Sequence, residues 1–262
     1  MRHVFGTMTK SEWHYTGLAA QCYDLWFGKE PFIDQAFFQR RIIAAGGPAL
    51  EIGCGTGRLL VPFLRDGLDV EGLDSSPEML ALCRTKALDY GRTPVLHQQL
   101  MQELDLPRRY ATIFVPFGSF QILARRDEAF ETLRRFHAHL QPGGQVLISL
   151  FVPWTDFRLE NQWRLRRSGT RPTDGALIHI YECTRSNRFE QEQTIWLRFE
   201  VYQSGRLIDN EMRTHQLRWY HKYEFELMLQ MVGFSDIAVY GDYTDMLATD
   251  RHSEVVYWAK KK

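Results

Sequence analysis

Long apolar runs are missing from this 262-residue chain. The longest, Val146–Trp154, covers nine residues, far short of the ~20 that cross a bilayer, so no membrane partner is expected. The opening MRHVFGTMTKSEWHY has no apolar stretch of the secretory type, which predicts a cytoplasmic protein. Net charge is missing too, because 32 Lys+Arg face 32 Asp+Glu. That balance argues against nucleic acid as a partner held by bulk electrostatics, although a local basic stripe would survive it. Cysteine is scarce. Cys22, Cys54, Cys83 and Cys183 stand far apart without a CxxC pair, which excludes a disulfide framework and predicts buried, reduced thiols. No His/Cys/Asp cluster has metal-ligand spacing, so no metal is expected. Repeats and low-complexity tracts are absent, which excludes solenoids and linker-joined arrays.

What is present is ordinary globular composition, with 44% hydrophobic and 24% charged residues. Between Pro31 and about Leu150, short apolar runs alternate with helical periods. Helices are expected over Ile33–Ala45, Gly57–Arg65, from the Asp74-Ser75-Ser76-Pro77-Glu78 cap, and over Asp127–Leu140. Strands are expected at Ala49–Ile52, Leu68–Leu73, Thr93–His97, Tyr110–Phe117 and Gln145–Val152. Such alternation means a parallel sheet covered on both faces. After Pro153 the pattern changes to three long strands, Ala176–Thr184, Gln191–Gln203 and Arg206–Tyr220. In the second, Ile195, Leu197, Phe199 and Val201 share one face and Trp196, Arg198, Glu200 and Tyr202 the other, the period of a half-buried antiparallel strand. Helix Tyr223–Val232 and strands Ile237–Tyr240 and Glu254–Ala259 return to the first style. The antiparallel block (residues 153–216) therefore reads as an insertion in one α/β domain built from residues 1–152 and 217–262.

The informative segment is Leu50-Glu51-Ile52-Gly53-Cys54-Gly55-Thr56-Gly57-Arg58. It leaves a strand, turns through alternating glycines and enters a helix, so its backbone can lie against a ligand. Alone, this is either an ordinary strand–helix turn or a cofactor loop. Asp74, at the end of the next strand, favours the second, because an acidic side chain there can take both hydroxyls of a ribose. The dinucleotide fingerprint G-x-G-x-x-G fails, since Arg58 occupies its third glycine position. Glu51 beside the loop would repel a pyrophosphate and welcome a cationic amino-acid cofactor. S-adenosylmethionine (SAM), with a sulfonium, an ammonium and no phosphate, fits that charge arithmetic better than NAD.

LEIGCGTGRLL (50–60), VEGLDSSPEML (70–80), VLHQQLMQELDLPRRYATI (95–113) and LQPGGQVLISL (140–150) together resemble the class I SAM-dependent methyltransferases. The resemblance implies an α/β, Rossmann-like seven-stranded mostly parallel sheet with helices on both faces, plus an inserted antiparallel β cover. It implies that Gly53, Cys54 and Gly55 line the methionine part of SAM, with Glu51 near its ammonium. Asp74 would hold the ribose, Ser75 would lie beside it, and Met79 would pack on the adenine. Met101 and Gln102 would lie at the adenine edge, and Phe117 at the mouth. Relatives often carry Gly-Asp-Met where this chain has Gln99-Leu100-Met101. Leu100 cannot accept a bond from the adenine amine, so either Gln99 or Gln102 substitutes or SAM binds more weakly by roughly 1 kcal/mol.

His14–Leu25 is similar to the N-terminal helix of small-molecule N-methyltransferases of the amino-sugar type. That resemblance implies that Tyr15 and Tyr23 close over SAM; the alternative is that both are packing residues on one helical face. Ile122 stands where those amino-sugar enzymes have a pocket histidine, so the substrate does not carry over. The expected activity is methyl transfer to a small-molecule acceptor, best an amine, by in-line displacement that depends on positioning. A SAM-binding sensor or partner subunit without turnover is the competing class, and a nucleic-acid or protein methyltransferase a weaker one. No catalytic residue is identified. Among the histidines, His97, His137 and His139 read as surface or satisfied-core residues, while His215 and His221 flank the aromatic segment Leu217–Tyr220. Arg164–Arg167 with Arg171 is either a solvated loop or an anion site. Ser119, Arg218 and Trp219 are candidate substrate contacts. Trp154, Trp163, Trp196, Tyr202 and Tyr220 either line a closed pocket with Trp219 or attach the cover to the sheet.

Overall fold

Strands buried on both faces are built mainly from apolar residues, and the central strands of this protein are, with Glu51, Glu71 and Thr112 as buried polar exceptions. The computed structural model describes residues 15–27, 31–151, 160–171 and 173–262; Trp154 lies outside them. In chain order, α1 (Gly17–Gln21), α2 (Tyr23–Phe27) and α3 (Gln35–Ala45) precede β1 (Ala49–Ile52). Then come α4 (Leu60–Arg65), β2 (Val70–Asp74), α5 (Pro77–Asp89), β3 (Leu96–Gln98), β4 (Tyr110–Val115), α6 (Arg126–His139) and β5 (Leu140–Phe151). Four antiparallel strands follow, β6 (Arg164–Thr170), β7 (Leu177–Asn187), β8 (Glu192–Gln203) and β9 (Arg206–Arg218). The described chain closes with α7 (Lys222–Val232), β10 (Phe234–Gly241) and β11 (Glu254–Lys261).

The main sheet has seven strands in the order β10-β11-β5-β4-β1-β2-β3. β1 to β5 are mutually parallel, and β11 and β10 run antiparallel at one edge. Alternation along each strand divides the core into two layers. Leu50, Ile52, Ile113, Val115, Ile148 and Leu150 pack with α6 and α7 through Leu133, Phe136, Phe225 and Leu229. Ala49, Phe114 and Leu147 point the other way, onto Phe38, Phe63 and Cys83 of α3, α4 and α5. Helices thus cover both faces, as the alternating pattern requires. Among the described residues no helix is long and apolar enough to cross a membrane.

Element boundaries differ where local chemistry overrode periodicity. The helix expected from Gly57 begins at Leu60, because Gly57 itself sits at φ +82° in the turn. β5 begins at Leu140, earlier than expected, and takes Pro142-Gly143-Gly144 into an exposed strand end. The cover has four strands rather than three, since Arg164–Thr170 is the edge strand β6 and not a loop. Its arginines hide the alternation, and charged residues are what an exposed sheet edge carries.

The antiparallel sheet has its own apolar layer. Ile178, Ile180, Ile195, Leu197, Phe199 and Val201 face inward and enclose Leu18 and Ala19 of α1 and Cys22 just after it. Two buried side chains join it to the main sheet. Gln121 exchanges a pair of 2.9 Å hydrogen bonds with the Phe151 backbone at the end of β5 and donates to the Arg218 carbonyl of β9 at 3.3 Å. Arg218, 6% exposed, donates to the carbonyls of Ala124 at 2.7 Å and Glu190 at 2.6 Å and pairs with Glu192. Arg218→Met, which keeps the volume and strands these acceptors, is expected to lower unfolding free energy by about 2–4 kcal/mol, read as a lower urea midpoint. An unchanged midpoint would show that this arginine does not hold the two sheets together.

Candidate active site

β1 ends beside β4, where the strand order reverses, and a crevice opens there outside the carboxyl ends of the strands. The chain leaves β1 through Gly53 and Gly55, at φ +69° and +55°, a conformation that favours glycine. The N–H groups of Gly53 and Cys54 donate to the Leu73 carbonyl at 2.7 and 3.0 Å, fixing the turn to β2. Asp74 ends β2 and braces the same turn. One carboxylate oxygen accepts from the Gly55 N–H and the other from the Ser76 N–H, each at 2.9 Å. Ser76 in turn caps α5 by accepting from the Met79 N–H at 3.2 Å. A Cβ on Gly55 would meet the Met79 side chain at 3.4 Å and the Tyr23 ring at 3.6 Å, both of which line the crevice, so the glycine keeps a narrow cradle between them free.

The crevice is one arm of a cavity of about 1340 Å³. It runs from Gly53, Gly55, Asp74 and Met79, past Phe117 and Ser119, to the inner face of the antiparallel sheet. Single small-molecule sites measure ~300–1,000 Å³, so this volume suits two ligands side by side. Tyr15 and Tyr23 line it with rings in edge contact, centroids 5.2 Å apart. They do not share one helix, because α1 starts at Gly17 and the chain turns at Cys22 before α2. Carboxylates hold this segment from both sides: the Gly17 N–H donates to Glu78 at 2.9 Å and the Leu18 N–H to Glu211 at 2.7 Å.

Of the expected site residues, Tyr15, Tyr23, Gly53, Gly55, Asp74, Ser75, Met79, Met101, Gln102, Phe117 and Ser119 line the cavity. Glu51 and Cys54 do not. Both are 2% exposed and lie beneath the loop. Burial pushes the Glu51 carboxyl well above the usual carboxylate range, against the opposing pull of Arg58, and its Oε2 makes no hydrogen bond. Arg58 is held by Asp34 through two contacts of 2.6 Å, so the loop offers its ligand no cation from this position. The expected role of Glu51 is thereby corrected: the carboxylate that faces the crevice is Asp74, while Arg58 supplies no cation for a pyrophosphate. Gln99 cannot replace the missing acceptor at Leu100, because both ends of its amide are bonded to the Asp105 backbone, at 3.1 and 3.0 Å.

The expected aromatic lining is corrected. Arg218 and Trp219 lie outside the cavity lining, the first committed to the carbonyls described above and the second 5% exposed beside Gln191. Trp196 and Tyr202 alternate with inward Leu197 and Val201 and so occupy the outer face, where Arg198 stacks on Trp163 and Tyr181 at 5.0 and 4.6 Å. Tyr220 packs in the main core against Phe120 and Phe225. The inner wall is instead Ile180, Leu197 and Phe199 with polar insertions at Arg164, Arg166, Glu182, Gln193 and His215. Sequence reasoning missed Glu182. Its signal was a carboxylate in phase with Ile178 and Ile180 on an otherwise apolar strand face, and it pairs with Arg166 at 3.4 Å.

The histidines separate cleanly. His139 accepts from the Leu106 N–H at 3.0 Å and donates to the Arg135 carbonyl at 2.8 Å, His97 pairs with Glu71, and His221 caps α7. Only His215, of those considered, reaches the cavity.

An acidic side chain after β2, a side-chain-free turn after β1 and a cavity at the strand-order reversal define a Rossmann-like enzyme that binds a nucleoside cofactor. Residues 49–144 match the family model described as a methyltransferase domain. The chain is 28% identical over 227 residues to dTDP-3-amino-3,6-dideoxy-alpha-D-glucopyranose N,N-dimethyltransferase of Streptomyces fradiae, covering 84% of this chain and 85% of that protein. Among solved structures it resembles the CcbJ methyltransferase of Streptomyces caelestis, with a TM-score of 0.76, 24% identity and 92% and 95% of the two chains covered. It also resembles the sugar N-methyltransferase KedS8 of Streptoalloteichus, with a TM-score of 0.72, 17% identity and 100% and 99% covered. The matched domain and these likenesses make the protein a methyltransferase that uses SAM as its cofactor.

Two outcomes test the site. Gly55→Val fills the cradle, so calorimetry is expected to show loss of S-adenosylhomocysteine binding while circular dichroism stays native; retained affinity would contradict the cradle. Burial pulls the His215 pKa down to about 4, against ~6.5 in the unfolded chain. Between those values the unfolded state binds more protons, so stability rises with pH there and falls on acidification, by up to about 3 kcal/mol. Denaturation at pH 7 and pH 4.5 should show a smaller acid loss in His215→Gln than in the parent. Equal losses would refute the assignment.

Proposed function

We propose that the protein methylates an amine of a small, sugar-like acceptor bound against the antiparallel sheet. In this reading residues 1–152 and 217–262 bind SAM and residues 153–216 form the acceptor cover, in a cytoplasmic setting that suits four free cysteines. The observation that carries the proposal is the shared cavity, in which the cofactor crevice opens directly onto a second, walled compartment. A polymer would need an open groove there. The likeness to the Streptomyces fradiae amino-sugar N,N-dimethyltransferase and to the sugar N-methyltransferase KedS8 supports the same acceptor class.

SAM supplies, when bound, an electrophilic methyl group on a sulfonium that a nucleophile displaces in line. Asp74 would hold its ribose hydroxyls, with Ser75 beside them. Gly53 and Gly55 admit the amino-acid portion close to the backbone. Tyr15, Tyr23 and Phe117 close the mouth and exclude water, so that the acceptor is held rather than activated. The inner wall combines apolar Ile180, Leu197 and Phe199 with Glu182, Gln193 and His215, a mixture suited to a ring bearing hydroxyls. Burial keeps His215 neutral at pH 7, so it can accept a hydrogen bond from an N–H or O–H without adding positive charge. An amine acceptor needs its lone pair and little further base help.

The test is a methyl-transfer assay with labelled SAM and three acceptors: a dTDP-linked 3-amino-6-deoxyhexose, its 3-hydroxy counterpart and an oligonucleotide. Label on the amine alone is the expected outcome. Label on the oligonucleotide, or on the hydroxyl in preference to the amine, would overturn the proposal.

A further inference from the structure

The base of the cofactor belongs beyond Asp74, in the slot toward β3, because a ribose held by that carboxylate directs its base away from the glycine turn. The slot is lined by Leu73, Met79, Leu100 and Met101, with Gln102 and Glu103 following in the short turn after β3. Leu73 and Met79 are 1% exposed, so they offer the base flat apolar contact. Among the described residues, no polar side chain of this segment is buried in the slot with an unmet hydrogen bond. The Gln99 amide is closed onto the Asp105 backbone at both ends. Leu100 has no acceptor. Glu103 is exposed and Gln102 only half-buried, so a hydrogen bond from either largely replaces one to solvent at little net gain. Strong discrimination needs a buried partner that is left unpaired when the ligand lacks the group. Among the described residues, none of the buried unpartnered side-chain atoms belongs to residues 99–103.

We propose that Leu100 makes this protein indifferent to the exocyclic amine of its cofactor's purine, which is recognised by shape and apolar packing rather than by a side-chain acceptor. This rests on the placement of SAM in the crevice, and it makes Leu100 a specificity-determining position for the cofactor. The position is ready for the opposite choice. Leu100 is the extended residue (φ −74°, ψ 142°) that caps the turn Met101–Glu103, and its carbonyl accepts from the Glu103 N–H at 2.9 Å. Aspartate and asparagine are favoured at helix caps of this form, so Leu100→Asp adds an acceptor without opposing the local backbone.

The experiment is calorimetry with S-adenosylhomocysteine and with its purine analogue, which lacks the 6-amino group and keeps every ring nitrogen. In the parent protein the two dissociation constants are expected to agree within about fivefold, and in Leu100→Asp the amine-bearing ligand is expected to gain about tenfold over the analogue. A larger than fivefold preference in the parent would show that Gln102 or Glu103 reads the amine, and would overturn the proposal. A ratio unchanged in Leu100→Asp would place the base elsewhere and overturn it too. Circular dichroism reports whether that variant folds, and Leu100→Asn serves as the second acceptor-bearing variant. If the parent binds neither ligand, the fault lies with the cofactor placement and not with Leu100.

Discussion

The site depends on the contact between Asp74 and the Gly55 N–H. A loop that must approach a ligand closely can carry no side chains, and a loop without side chains has nothing of its own to hold its shape. The Asp74 carboxylate supplies the restraint from the neighbouring strand, and its second oxygen, accepting from Ser76, ties the loop to the cap of α5. One carboxylate thus braces the glycine turn, starts a helix and faces the cavity. The arrangement is possible because β1 and β2 are adjacent and parallel, with Ile52 opposite Leu73. The sheet order is accordingly a requirement of the site and not only a scaffold for it.

The second requirement is a wall. A crevice at the strand ends is open by construction, and an acceptor held there would be shared with water. The antiparallel sheet walls one side of it, at the cost of carrying polar groups through a buried junction. Gln121 and Arg218 satisfy the backbone groups that the junction would otherwise strand, which is the condition for burying polar atoms at all. The N-terminal segment completes the enclosure, with the N–H groups of Gly17 and Leu18 bonded to Glu78 on the main domain and Glu211 on the cover. It is tied to both halves, so its placement reports on their mutual placement.

Charge divides the cavity's surroundings into two regimes. Beneath the loop, Glu51, Asp34 and Arg58 form a buried group in which the arginine is committed to Asp34 and the glutamate is pushed toward its neutral form. Across the cavity, Glu182 pairs with Arg166 on the cover's inner face, and His215 is held neutral. Neither Glu51 nor Arg58 faces the cavity, whereas the opposite wall sets Arg166, Glu182, Gln193 and His215 among apolar side chains.

The amino-acid sequence by itself determined the parallel sheet, its helices and the glycine turn with Asp74, because these follow from local rules: strand apolarity, capping at Ser76-Pro77, and glycines spaced for a turn. It also named most of the residues that line the crevice around the glycine turn, since that arm is built from segments contiguous with the motifs. Tertiary structure alone decided the wall formed by the antiparallel sheet. The two faces of β8 were legible as sets, yet only the docked sheet says which set looks inward, and a phase error of one residue turns Trp196 and Tyr202 from lining into cover. Arg218 was taken for a substrate contact because an arginine among aromatics looks functional. What removes it from the cavity is three acceptors, at Ala124, Glu190 and Glu192, that are far from it in sequence. β6 escaped notice because an edge strand rich in arginine has no apolar period to read. Local chemistry is written along the chain, whereas the direction a side chain faces is settled by which surfaces meet.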